Sequence, residues 1–277
     1  MKHYDVVIIG GGTAGIFAAY ELNHLHPELK IAMIERGNPI RKRVCPIIAG
    51  KTKSCVGCAS CCIMNGFGGA GAFSDGKFNF TTEFGGWLHD YISPDEVMTL
   101  IEYVDSVNIR FGATTERFST YSPEAAELEK RALHHDLHLL KAAVKHLGTE
   151  KNLKILSNMA EDLSGKADIY CNTEVEGILP REDGLYELAA SGSEHFLCTY
   201  LIAAPGRSGA EWFSSECKKM GINLINNQVD IGVRVELPAA VFEHITDVVY
   251  EAKLVYRTKQ YGDSVRTFCM NPYGHVV

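Results

Sequence analysis

The chain has 277 residues, 46% of them hydrophobic, with a formal net charge of -7 and nine cysteines. That length supports a full core in one large domain plus part of another. The acidic balance leaves no electrostatic footprint for nucleic acid, and the short basic cluster Arg36, Arg41, Lys42 and Arg43 does not overturn it. No stretch approaches the ~18 consecutive apolar residues of a membrane span. The apolar N-terminus runs into glycines rather than a small-residue cleavage site, so no signal peptide is read and a cytoplasmic location is expected. Without export, the cysteines are expected as reduced thiols, metal ligands or redox groups rather than as a disulfide framework.

The first element is an apolar strand, Tyr4 to Ile9, followed by Gly10-Gly11-Gly12-Thr13-Ala14-Gly15, a helix, and a second strand, Lys30 to Ile34, ending on Glu35. This is a dinucleotide-binding fingerprint. Gly10 allows the sharp turn, Gly12 the approach of backbone to a pyrophosphate, and Gly15 close packing of helix on sheet. Thr13 and Ala14 open the helix whose unpaired N–H groups and dipole favour the phosphates. Glu35 supplies an acceptor for a ribose. The fingerprint alone does not separate FAD from NAD.

An irregular segment rich in glycine and cysteine follows to residue 92, and a long loop of that kind is usually functional. Helices are expected from Ser93-Pro94-Asp95-Glu96 to about Arg110, and from Ser122-Pro123-Glu124 to Gly148 on a leucine stripe. A strand at Leu153 to Leu156, a short helix near 158–164, and strands near 168–178, 185–190 and 196–203 read as a return to the sheet through a small meander. A helix is expected over 209–220. The alternation Val229, Ile231, Val233, Val235 suggests the first strand of a second sheet. The boundaries expected are a nucleotide domain in two segments, 1–92 and 149–228, a helical insertion at 93–148, and the start of a substrate domain at 229–277.

The cysteine cluster is the other chemical signal: Cys45-Pro46, then Cys55, Cys58, Cys61 and Cys62. Sulfurs at i, i+3 and i+6 suit one metal centre, so Cys45, Cys55, Cys58 and Cys61 are candidate ligands of a 4Fe-4S cluster or of zinc. Redox thiols, with Cys58 and Cys61 as candidate reactive groups, and inert thiols are the other readings. Gly69 and Gly71 offer backbone that a planar ring can approach, and Lys77 is a candidate cation beside it.

Several stretches carry a resemblance. Glu35-Arg36-Gly37, the segment around Thr173-Glu174-Val175, and the turn Ala203-Ala204-Pro205-Gly206 resemble glutathione-reductase-like flavoproteins. More narrowly, Asn65 to Lys77, Ala204 to Trp212 and Val229 to Glu236 resemble FAD-dependent dehydrogenases related to geranylgeranyl-reductase-like proteins. The resemblance implies a Rossmann-like three-layer α/β FAD domain, a mixed-sheet substrate domain, and oxidoreduction of a small-molecule substrate or electron carrier, with NAD(P)H a possible electron donor. It also implies that Arg36, the backbone at Val175, and the turn holding Ala204 and Gly206 line the cofactor. Members of the superfamily close the site with a C-terminal glycine-rich segment and helix, which nothing after Val235 supplies, so the sequence is expected to lack that part. Two other expectations stand beside this one: a non-catalytic FAD-binding fragment, and a NAD-binding module whose cysteines staple the loop through zinc or thiols.

Overall fold

The computed structural model describes residues 1–273, so the last four positions of the expected 229–277 segment lie outside the described residues. Along the chain run β1 (Lys2–Ile9), α1 (Thr13–Leu25), β2 (Ile31–Glu35), β3 (Lys77–Phe80), α2 (Pro94–Arg110), β4 (Phe118–Ser119), α3 (Pro123–Leu133), β5 (Leu137–Leu139) and β6 (Ala143–His146). Then come α4 (Thr149–Leu163), β7 (Asp168–Cys171), β8 (Val175–Pro180), β9 (Tyr186–Ala190), β10 (Glu194–Ala203), α5 (Ala210–Lys219), α6 (Ala239–Thr246), β11 (Leu254–Arg257) and β12 (Ser264–Arg266). These elements form two compact units. The first holds residues 1–76, 111–113 and 147–227, and the second holds 77–110, 114–146 and 228–277.

The first unit is a Rossmann-like α/β domain on a six-stranded sheet of order β7-β2-β1-β10-β9-β8. β7, β2, β1 and β10 are parallel, while β9 and β8 continue the sheet as an antiparallel meander. The central strands are apolar on both faces because both are covered. Val7, Ile9, Ala32 and Ile34 join Leu188 and Phe196 in one buried cluster, against which Trp212 of α5 packs. Val6, Ile8, Ile31 and Met33 are buried as well, and the contact of Gly15 with Ile8 places α1 on that side. With α1 and α5 on opposite faces, the domain has three layers. β1 has β2 on one side and β10 on the other, so the strand order reverses between β1 and β10. In open α/β sheets ligands bind at the carboxyl ends of the strands flanking such a switch point.

The second unit contains two three-stranded sheets, β12-β11-β5 and β3-β6-β4. Its core gathers Ala125, Leu128 and Ala132 of α3 with Leu139, Val249, Ala252 and Leu254. Ser93 and Glu96 form a reciprocal capping box at the start of α2, and the Ser122 side chain caps α3, as their sequences predict.

Three expectations are corrected. The helix from Pro123 ends at Leu133 instead of Gly148. Asp136 takes a positive φ of 59°, which no helix continues through, and the following residues pair as β5 and β6. The strand expected at Leu153–Leu156 lies inside α4, where Asn152, Ile155, Leu156, Met159 and Leu163 are the buried positions; that spacing is one helical face, and the short apolar run hid it. The strand expected from Val229 does not form. Residues 223–238 lie in neither helix nor strand, since alternation without a pairing partner makes no ladder.

Candidate nucleotide site

The glycine fingerprint lies at the switch point. Gly10 ends β1 with φ +100°, and a Cβ on it would stand well inside 3.0 Å of the Ala204 carbonyl. Only a glycine permits both that conformation and that approach. The Ala204 N–H in turn donates to the Ile9 carbonyl at 2.8 Å, so the ends of β1 and β10 are tied together. Gly15 is equally constrained, because its Cβ would collide with the Gly10 carbonyl. Gly12 is different. Its backbone is extended, with φ -78° and ψ -174°, and a Cβ there would meet only the Gly69 Cα at 3.9 Å. No fold contact demands a glycine at that position.

Gly12 is also the N-cap of α1, with no capping side chain and no acid in the first turn. Thr13 and Ala14 are exposed. The positive end of α1 therefore opens to solvent, ready for an anion.

A second glycine loop closes on the first. Gly68 donates from its backbone N–H to the Gly11 carbonyl at 2.7 Å. A Cβ on Gly71 would meet Thr13 Oγ1 at 3.8 Å, so this loop runs beside the start of α1. Asn65, Gly66, Phe67 and Gly68 are buried, while Gly71 is exposed. The loop is anchored from beneath and presents bare backbone outward.

Three side chains that the sequence reading did not assign to the site do the anchoring. The guanidinium of Arg43, a buried residue, donates to the carbonyls of Cys62 (2.9 Å), Ile63 (2.7 Å), Phe67 (2.9 Å) and Gly69 (2.7 Å). Asn152 of α4 donates from Nδ2 to the Gly71 carbonyl at 2.6 Å. Ser208, just beyond Gly206, donates from Oγ to Asn65 Oδ1 at 2.7 Å and links the β10 turn to the loop. In the sequence Arg43 stands within a short basic run that bears only on nucleic-acid binding; its burial reveals the anchoring role.

Glu35 is where the sequence places it, at the end of β2, but its carboxylate is largely engaged. Oε2 accepts from Gly11 N–H, and Oε1 accepts from Gly37 and Gly66 N–H, each at 2.8 Å. A carboxylate offers about four lone-pair directions, so roughly one remains for a ribose hydroxyl. Arg36 pairs with Glu174 at 3.4 Å. Val175 opens β8, beside the connection in which Thr173 N–H donates to the Glu35 carbonyl. Gly206 has φ +65° and is exposed.

Lys77 belongs to the second unit, where its side chain is buried and its ammonium pairs with Glu251. Glu251 also pairs with Lys253. The lysine is thus held by a carboxylate of its own unit.

The cysteine cluster is not gathered into a metal centre in this structure. Among the described residues no three His, Cys, Asp or Glu side chains converge as metal ligands, and Cys55, Cys58 and Cys61 are exposed. The i, i+3, i+6 spacing gathers sulfurs only on a compact turn or helix. Residues 55–58 have no regular structure, with Gly57 at φ +63°, so no helix carries that spacing here. Cys45 and Cys62 are half-buried, and Asn38 Nδ2 lies 3.6 Å from the Cys62 sulfur.

No family model matches this sequence, and no curated protein matches it. Among solved structures it is similar to glycine oxidase from Geobacillus kaustophilus, at 18% identity over 81% of this chain and 60% of that one, TM-score 0.45. It is similar to L-amino acid deaminase from Proteus vulgaris at 13% identity, covering 80% and 51% of the two chains, TM-score 0.46. A cyclohexanone monooxygenase matches at 16% identity over 74% of this chain, TM-score 0.37, and this chain spans only 27% of it. No helix of the described residues is long and apolar enough to cross a membrane.

Proposed function

We propose that the first unit binds FAD and that the chain belongs to an FAD-dependent oxidoreductase, a dehydrogenase or reductase acting on a small molecule or electron carrier, with NAD(P)H a candidate donor. The observation that carries this reading is the meeting of two glycine loops at the open N-terminus of α1: Gly12 and Thr13 on one side, Gly69 and Gly71 on the other, with room for a Cβ at Gly12 and Gly71, while Gly69 approaches Gly12 so closely that a Cβ on Gly69 would stand 3.0 Å from the Gly12 Cα. A fingerprint by itself serves FAD and NAD equally. The second loop favours the flavin nucleotide, because a planar ring needs bare backbone to lie against.

The residues have distinct parts in this reading. The N–H groups at Gly12, Thr13 and Ala14 face the pyrophosphate, and the remaining acceptor direction of Glu35 takes a ribose hydroxyl. Arg36 and the backbone near Val175 flank the adenine end. The turn from Ala204 to Gly206 lies toward the flavin end. Bound FAD supplies the hydride or electron transfer itself, and the protein holds and orients it. The second unit is the candidate substrate domain. No step is assigned to Lys77, Cys58 or Cys61.

The test is the absorption spectrum of the purified chain after incubation with FAD and gel filtration. Retained flavin bands near ~450 nm, the signature of the cofactor that carries the chemistry, together with their loss in Gly12→Val, support the reading. A colourless chain, or a Gly12→Val variant that retains flavin as well as the parent, overturns it.

A further inference from the structure

Residues 223–238 form neither helix nor strand, and among the described residues none of 223–237 makes a backbone hydrogen bond. The sequence here is nevertheless that of a strand, with β-branched side chains at Val229, Ile231, Val233 and Val235 alternating with Asp230, Gly232 and Arg234. The four apolar residues are 80, 95, 88 and 68% exposed. A row of that kind, with its N–H and C=O groups unpaired, is a template for another strand.

The run is also complementary to itself. In antiparallel pairing centred on Gly232, Ile231 of one copy faces Val233 of the other, and Val229 faces Val235. All four apolar positions then lie on one face. On the opposite face Asp230 meets Arg234, twice by symmetry, flanking the glycines. The competing registers are worse. A shift by two residues sets Asp230 against Glu236 or against Gly232, a shift by one mixes the faces, and parallel in-register pairing opposes Asp to Asp and Arg to Arg. Within the chain both charges have only weak company. Arg234 pairs with exposed Glu236 at 3.2 Å, and Asp230, 90% exposed, lies 3.8 Å from Arg266.

We propose that residues 229–235 are an isologous docking strand through which two copies of this chain pair antiparallel about Gly232. Pairing satisfies the backbone, packs the β-branched row of one copy against that of the other, and places both charge pairs across the interface. This inference does not depend on the nucleotide reading, because the segment contains none of the residues assigned to that site.

The test is sedimentation equilibrium of the parent chain, of Asp230→Arg, of Arg234→Asp, and of an equimolar mixture of the two variants. The parent is expected to show a concentration-dependent monomer–dimer equilibrium. Each single variant faces like charges in the homodimer, so its dissociation constant rises by about tenfold or more. In a mixed dimer both cross-strand pairs again join opposite charges, one pair as in the parent and the other with its two charges exchanged. The mixture therefore recovers dimer, as does the double variant. A parent that stays monomeric at every concentration, single variants that dimerise like the parent, or a mixture without recovery overturns the proposal. The altered side chains are exposed, so unchanged circular dichroism is expected in all of them.

Discussion

The backbone N–H of Gly66 donates to Glu35 Oε1 at 2.8 Å, across 31 residues of sequence. The same carboxylate holds Gly11 and Gly37, so one side chain at the end of β2 fixes both the fingerprint loop and the second glycine loop. Gly37 and Gly66 lie against each other so closely that a Cβ on Gly37 would stand well inside 3.0 Å of Gly66 backbone.

Glu35 is therefore expected to matter for stability before any ligand is added. Glu35→Ala leaves three buried N–H groups without an acceptor, a loss of about 3 kcal/mol at roughly 1 kcal/mol each. Glu35→Gln keeps one oxygen for Gly37 and Gly66 and turns an NH₂ toward Gly11, so it costs less, about 1–2 kcal/mol. Urea unfolding of the chain without FAD measures both; an unchanged midpoint for the alanine variant refutes the clamp.

The glycines of the fingerprint separate into structural and ligand-facing positions. Gly10→Ala and Gly15→Ala each press a methyl into a backbone carbonyl and are expected to cost more than about 3 kcal/mol, enough to unfold a marginal domain. Gly12→Ala fits the space at 3.9 Å from Gly69 and costs only about 1 kcal/mol of unfolding free energy, that of alanine at an N-cap, while the larger Gly12→Val removes flavin retention. Equal destabilisation at all three positions runs against this division.

Arg43 tests the anchoring of the second loop. A lysine presents a single ammonium and does not reproduce a planar fork reaching four carbonyls. Arg43→Lys is expected to expose the 62–69 segment to limited proteolysis and to weaken FAD retention at least about tenfold, with β1, β2 and β10 still protected in hydrogen exchange. Cleavage no faster than in the parent counts against the role.

The thiols divide by burial. Desolvation pushes Cys198 up to about 11, and Cys171 also to about 11, with the charge of Glu35 adding to the effect of burial on Cys171. At pH 8 an alkylating reagent is expected to modify exposed Cys55, Cys58, Cys61 and Cys269 first and buried Cys198 and Cys217 last, as read by mass spectrometry. An unfolded cysteine releases its proton near ~8.5, whereas the folded chain keeps these two protonated to about 11. The unfolded state thus binds fewer protons in that interval, and stability falls as pH rises through it. Urea midpoints between pH 7.5 and 10.5 should decline, and less steeply in Cys198→Ala.

The sequence by itself determined the elements whose signals are local. β1, the glycine turn, α1 and β2 are legible because an apolar strand, three spaced glycines and an acid at the end of the next strand form one short contiguous pattern. The caps at Ser93 and Ser122 are legible for the same reason, and so is the turn after β10. Tertiary structure decided what depends on partners distant in sequence. Leu153–Leu156 reads as a strand until the burial of Asn152, Met159 and Leu163 shows one helical face. The cysteine spacing is open to a metal site, redox thiols or inert thiols, and whether its side chains converge depends on the fold, which leaves Cys55, Cys58 and Cys61 exposed with no converging ligand set among the described residues. Glu35 is legible as an acceptor at the end of β2, but that it also clamps Gly66 from another loop is decided by the fold, as is the enclosure of Arg43 by four carbonyls. In each case the chemistry of the side chain was visible from the start, whereas its partner was fixed only when the chain folded and buried polar groups had to be satisfied.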